Sequence, residues 1–139
     1  MTRNHSFENT LSKTNEWLKA IEDELHVNDE QKAYQSLRAV IHALRDRLTI
    51  EEIADFGAQL PMLIRGLYYE GWIPTEKPRG YKTREEFIEN IEKNIPNDVE
   101  PRAAVESVFK VIERHVTSGE VDDIKSILPK ELLSLWPAI

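Results

Sequence analysis

The sequence predicts an all-α protein made of two pseudo-repeated units of about four helices each. Three observations predict it. Apolar residues recur at spacings of three and four along most of the chain, and no stretch of useful length alternates apolar and polar residues as a half-buried strand does. Residues 33 to 68 also lie on residues 101 to 136 without a gap, at an offset of 68. The two segments hold 15 and 14 large apolar residues, and 11 fall at matching positions, among them Leu37/Val105, Ile41/Phe109, Leu44/Ile112 and Tyr68/Trp136. Random placement would match about 6. Thr49/Thr117, Glu52/Glu120, Asp55/Asp123 and Pro61/Pro129 are identical, and residues of these types punctuate helices.

Phe7, Leu11, Thr14, Leu18, Ile21 and Leu25 mark one face of a first helix over roughly residues 6 to 26, with Asn4 or Ser6 as its cap. Asn28 with Gln31 makes a capping box before a second helix, whose stripe is Tyr34, Leu37, Ile41, Leu44 and Leu48. Thr49 and Glu52 form the next box, and Pro61 opens a fourth helix that Gly71 terminates. In the second unit, Thr83 and Glu86 open a helix whose Phe87, Ile88, Ile91 and Ile95 echo Trp17, Leu18, Ile21 and Leu25 at an offset of 70. Pro101, the box Thr117 to Glu120, and Pro129 follow in the same order. The change from 70 to 68 falls in a turn, where length changes are tolerated. Residues 73 to 82 contain Pro74, Pro78 and Gly80 and read as a linker. The expected organisation is a single domain, 1 to 139, with units at 6 to 72 and 83 to 139.

With 139 residues, 40% of them hydrophobic, the chain is long enough to bury one core. The absence of cysteine excludes a disulfide scaffold and a thiolate metal site, and fits a reducing, cytoplasmic location. The start of the chain lacks an apolar signal core, and no stretch approaches the roughly 20 apolar residues of a membrane span. A soluble protein with no membrane partner is expected. A net charge of -7, with acids in excess in both halves, opposes a nucleic-acid partner, because such binders neutralise phosphates with Lys and Arg.

The run from Leu37 to Leu48 and the segment from Gly57 to Trp72, ending Tyr-Tyr-Glu-Gly-Trp, resemble the bacterial domain-of-unknown-function family 2267. Glu86-Phe87 and the stretch from Gly119 to Pro129 are similar to that family's second half. The resemblance covers nearly the whole chain and implies a small bacterial helical protein. It implies no activity, substrate or cofactor.

Candidate sites are few. His5, His26, His42 and His115 show no pairing at three or four residues of the kind helical zinc ligands need, so no metal and no cofactor is expected. Glu52, Asp55, Glu120 and Asp123 read as cap partners and first-turn acids that suit the helix dipole. Arg38, His42 and Arg45 share one stripe on a helix face away from Leu37, Ile41 and Leu44, and their counterparts are Glu106, Lys110 and Glu113. That stripe is either a surface for an anion or partner, or a solvated face paired with acids such as Glu22, Asp23 and Glu24. Arg65 has Leu133 as its counterpart. Tyr68, Tyr69 and Trp72 gather around a helix end, and Gly66 invites the close approach of another backbone. No catalytic signature stands in the sequence. The expected function is a non-enzymatic protein-interaction or adaptor module, binding a protein partner or a second copy of itself. The alternative is a small-molecule or anion-binding protein, or an enzyme, whose pocket between the units draws on Arg38, His42, Arg45, Arg65, Tyr69 and Trp72.

Overall fold

The computed structural model describes residues 5 to 74 and 83 to 137, with the side chain of Ser6 left out. Among them are eight helices and no strand: α1 (His5–Leu25), α2 (Glu30–Arg47), α3 (Ile50–Ala58), α4 (Met62–Tyr69), α5 (Arg84–Glu92), α6 (Pro101–His115), α7 (Ser118–Ile127) and α8 (Lys130–Leu133). The expected cap at Asn4 and most of the 73 to 82 linker lie outside the described residues, and Ser6, the other expected cap, lies inside α1. No described helix is long and apolar enough to cross a membrane.

Helix starts follow local chemistry. Thr49, Thr83 and Thr117 each accept a hydrogen bond from the backbone N–H of the Glu three residues on, supplying an orphan donor of the first turn with a partner. The expected box at Asn28 is displaced by one residue. Asp29 is the cap of α2, its carboxylate accepting from Gln31 N and Lys32 N. α1 ends in a Schellman closure, with Val27 N–H on Glu22 O and His26 N–H on Asp23 O. His26 holds the left-handed position at φ 57°. Gly71, at φ 74°, takes the same backbone region after α4.

α1, α2 and α6 pack against one another in pairs; α4 lies on α1 and α2, α5 on α2, α6 and α8, and α3 on α4 and α7. α2 is the central element. Its Ala33, Ser36, Leu37, Ala39, Val40, Ile41, Ala43, Leu44 and Arg45 are buried, which is burial nearly all round, and the small residues among them let neighbours approach. All eight helices contribute to one buried apolar cluster that includes Trp17, Ile21, Leu44, Phe56, Tyr68, Phe87, Phe109, Ile124 and Leu132. Each large side chain fully buried there contributes about 1.5–3 kcal/mol.

The expected face of α1 is rotated, while the α2 stripe is buried at Leu37, Ile41, Leu44 and Leu48 and departs from expectation only at Tyr34. α1 buries Thr10, Trp17 and Ile21 but exposes Phe7 and Leu11, because α4 covers the Thr10 side of the helix. Tyr34, expected in the α2 stripe, lies at the surface. α5 ends at Glu92, earlier than its apolar spacing suggests, yet Ile95 is buried from the following turn. Pro96 makes an early stop understandable, since the residue before a proline disfavours the helical region.

Candidate functional site

The three residues of the basic stripe meet the C-terminal end of α4. Arg45 Nη1 donates to Tyr68 O at 2.7 Å and to Glu70 O at 2.9 Å, while its Nε donates to Asp46 Oδ1 at 2.8 Å. His42 Nε2 lies 2.7 Å from Leu67 O. Arg38 Nη2 donates to Glu70 Oε1 at 2.9 Å. A helix end carries unpaired carbonyls and a partial negative charge, and this end receives its donors from α2. Burial pushes the His42 imidazole below its ordinary pKa, and the Arg45 and Arg38 charges push the same way. In the neutral ring, the short contact makes Nε2 the protonated nitrogen. The hydrogen bond from Arg38 holds the Glu70 carboxyl below its usual range.

This arrangement corrects the sequence reading in two respects. Arg45 is not on a face away from the core; it is 4% exposed, because α4 covers it. Two of the acids expected as partners, Asp23 and Glu24, are engaged elsewhere, and the stripe's acidic partners are Asp46 and Glu70. Glu24 instead holds Lys110 and Arg114 of α6, and Asp23 holds Lys19.

The aromatic residues close α4 onto α3. Tyr68 Oη donates to Ile53 O at 2.9 Å, and its ring meets Phe56 edge-on at 5.3 Å. Burial raises its phenol pKa well above the ordinary value. Tyr69 packs beside Tyr68 at 4.9 Å, and Trp72 beside Tyr69 at 5.6 Å. The close approach expected at Gly66 is not there, since nothing lies within 4 Å of the place a Cβ would take. It occurs at Gly57, where a Cβ would overlap the Tyr69 hydroxyl and stand 2.9 Å from Cζ.

Arg65 is apart from the other five candidates. It closes the end of α3, with Nε on Gly57 O and Nη2 on Leu60 O, both at 3.0 Å. It also lines a cleft of about 510 Å³ with Thr10, Lys13, Trp17, Met62 and His115. His115 lies over Trp17 with ring centroids 5.1 Å apart, and burial lowers its pKa. Arg38, His42, Arg45, Tyr69 and Trp72 do not line this cleft, so the six do not converge in one concavity.

A second cluster forms where α3 meets α7. Glu52 and Glu120 each follow their capping threonine by three residues, and their N–H groups donate to Thr49 and Thr117 Oγ1 at 3.3 and 3.4 Å. The carboxylates do not complete the expected boxes. Thr117 N–H donates to Gln59 Oε1, and the Oε2 atoms of both glutamates are shut off from solvent without a hydrogen-bond partner. Carboxylate oxygens of Glu52, Glu120 and Asp123 all lie within 4.8 Å of one another. Two ionised carboxylates at 4.8 Å repel by about 3 kcal/mol at an effective dielectric constant of about 20. Burial, followed by the charges of Glu52, Asp55 and Asp123, pushes the Glu120 carboxyl up to about 7. Burial and the charges of Asp123, Asp55 and Glu51 raise Glu52 as well.

A family model described as "Uncharacterized conserved protein (DUF2267)" matches residues 14–135, nearly the whole chain. The chain belongs to this family. A search of curated proteins found no match for it. For a DUF2267 chain read from sequence, the acidic cluster was visible only in part. Glu52/Glu120 and Asp55/Asp123 stood out as identities, but their spacing belongs to caps, and nothing local states that two caps meet. Gly57 gave no signal either, because the Tyr69 ring that needs the space is 12 residues away along the chain.

Proposed function

We propose that this DUF2267 chain is a non-enzymatic interaction module that docks a protein partner on the face shared by α1 and α4. One observation carries the reading. Thr10 Oγ1 accepts a hydrogen bond from Leu63 N at 3.1 Å, so the two helices touch, and around that contact Phe7, Leu11, Met62 and Leu63 are 53%, 42%, 53% and 46% exposed. A cluster of large apolar side chains left in water marks a binding surface more often than isolated ones do. Lys13 and Arg65 stand beside it in the cleft and favour a partner with acidic flanks. The same reading places the protein in the cytoplasm of a bacterial cell.

It also holds the chain to be two copies of one unit. The support is positional: α3 and α7 start 68 residues apart, as do α4 and α8. Arg45 and its counterpart Glu113 both engage the residue pair Tyr68/Trp136, Arg45 through the Tyr68 carbonyl and Glu113 through the Trp136 indole N–H at 2.6 Å.

The second reading, a small anionic ligand, rests on Lys13, Arg65 and His115 lining one cleft. A pull-down from a bacterial host with the wild-type chain and a Leu11→Lys, Leu63→Lys variant tests the first reading, with sedimentation velocity on both to detect self-association. Both substitutions are at exposed positions, so circular dichroism should not change. A partner or self-association lost in the variant is the expected result; equal capture by both chains would rule out this face.

A further inference from the structure

Among the described residues, several acids have basic partners: Glu24 holds Lys110 and Arg114, Glu70 holds Arg38, Glu113 holds Lys125, and Asp98 holds Lys32. The junction of α3 and α7 departs from that pattern. Among the described residues, the charges that act on Glu52 and Glu120 are those of other acids, Asp55 and Asp123 on both and Glu51 on Glu52. The Glu120 carboxylate reaches into this cluster with its Oε2 shut off from solvent, although the residue as a whole is only half-buried. The Oε2 atoms of Glu52 and Glu120 have no hydrogen-bond partner and no solvent. From these contacts we infer that Glu52, Glu120 and Asp123 bind one hard divalent cation of the Mg²⁺, Mn²⁺ or Ca²⁺ class.

The donor set is all carboxylate oxygen, which selects hard cations over zinc or copper. Metal–oxygen distances of about 2.0–2.6 Å put opposite ligands of one sphere roughly 4–5 Å apart. The three donor oxygens, all within 4.8 Å of one another, therefore fit around a single ion. Glu52 and Glu120 supply enclosed ligands from two helices, whereas Asp123 is exposed and offers the access route, with water completing the coordination. Asp55, also exposed, adds a nearby negative charge that strengthens the pull on a cation. An ion here would tie α3 to α7 and remove the repulsion between their acids. The site lies on elements other than the proposed docking face, so it stands independently of that reading.

A rival occupant is a proton shared between Glu52 and Glu120. The two differ in a direct measurement on the full chain after treatment with chelator, near pH 7.5. Mn²⁺ is added alone and its free aqueous ion followed by electron paramagnetic resonance, with thermal unfolding recorded in parallel. The expected result is saturable binding of about one Mn²⁺ per chain with a dissociation constant on the order of 10⁻⁴ M. Tm should rise with metal concentration, and Ca²⁺ or Mg²⁺ should compete. Glu120→Gln should remain folded by circular dichroism and lose about tenfold or more in affinity, together with the metal-dependent rise in Tm. The exposed Asp123→Asn should weaken binding with no effect on the fold. No depletion of free Mn²⁺ at millimolar concentration, or equal binding by wild type and Glu120→Gln, would overturn the site and leave the shared proton.

Discussion

Arg45 commits its guanidinium to the main chain and to Asp46, so its removal strips donors from Tyr68 O and Glu70 O at once. Arg45→Met should therefore cost about 2–4 kcal/mol in denaturant unfolding, since the carbonyls it leaves behind lose charge-assisted partners. Arg45→Glu should cost more, even though Glu113 occupies the matching place. Glu113 faces an indole donor, whereas Arg45 faces acceptors. Arg38→Gln, at an exposed pair, should cost under about 1 kcal/mol, and equal losses at both positions would refute the clamp. His42 adds a pH dependence. Its folded-state pKa is depressed below the ordinary 6.5, so the unfolded chain binds the proton more tightly. The stability it contributes is complete above about pH 6.5 and is lost as pH falls through the folded value. His42→Gln retains a donor for Leu67 O and should flatten the acid-side fall of Tm between about pH 7 and 5. His115, shifted the same way, adds to that fall, whereas Glu120, pushed up to about 7, opposes it because the folded chain holds that proton more tightly. Gly57→Ala should destabilise by about 1–3 kcal/mol through overpacking against Tyr69, and Tyr69→Phe in the same chain should recover part of it.

Helix ends were the most legible elements because their chemistry is local. A threonine side chain three residues from the N–H it serves needs no knowledge of the rest of the molecule, and Thr49, Thr83 and Thr117 all act as read. Thr49→Ala and Thr117→Ala should each cost on the order of 1 kcal/mol in denaturant melts. Helix faces were legible only as stripes. The spacing of Arg38, His42 and Arg45 states that they share a side, but not that α4 lies across it. The same gap explains the exposed Phe7 and Leu11, because the Thr10 side of α1 is defined by a contact 53 residues away. His26 shows how an element end can be tuned. A non-glycine residue at φ 57° carries backbone strain, so His26→Gly should stabilise the chain by about 0.5–1 kcal/mol; a loss of stability would mean the imidazole makes a favourable contact there.

The apolar cluster gathers side chains from all eight helices, which sets an expectation for the molecule as a whole. Val40→Ala and Val108→Ala remove methyl groups from fully buried positions in α2 and α6. Each should lower the midpoint of the same single unfolding transition, seen alike by circular dichroism and by tryptophan fluorescence. Two separated transitions would show that the halves melt on their own. The fold class was readable because apolar spacing repeats over the whole chain. The meeting of Glu52 with Glu120 was not, since they are 68 residues apart and only the packing of α3 on α7 joins them. The α4 end has a kinetic meaning as well. α4 has eight residues and no side-chain N-cap, and its final carbonyls are served from α2 by residues 23 to 25 positions earlier. So short a helix is not stable alone, and its last turn is completed only once α2 is in place. α4 is therefore a late element of folding with φ-values near 0, and its amides should exchange hydrogen ahead of those in α2. A partner gripping Met62 and Leu63 would be holding a part of the molecule that opens ahead of α2.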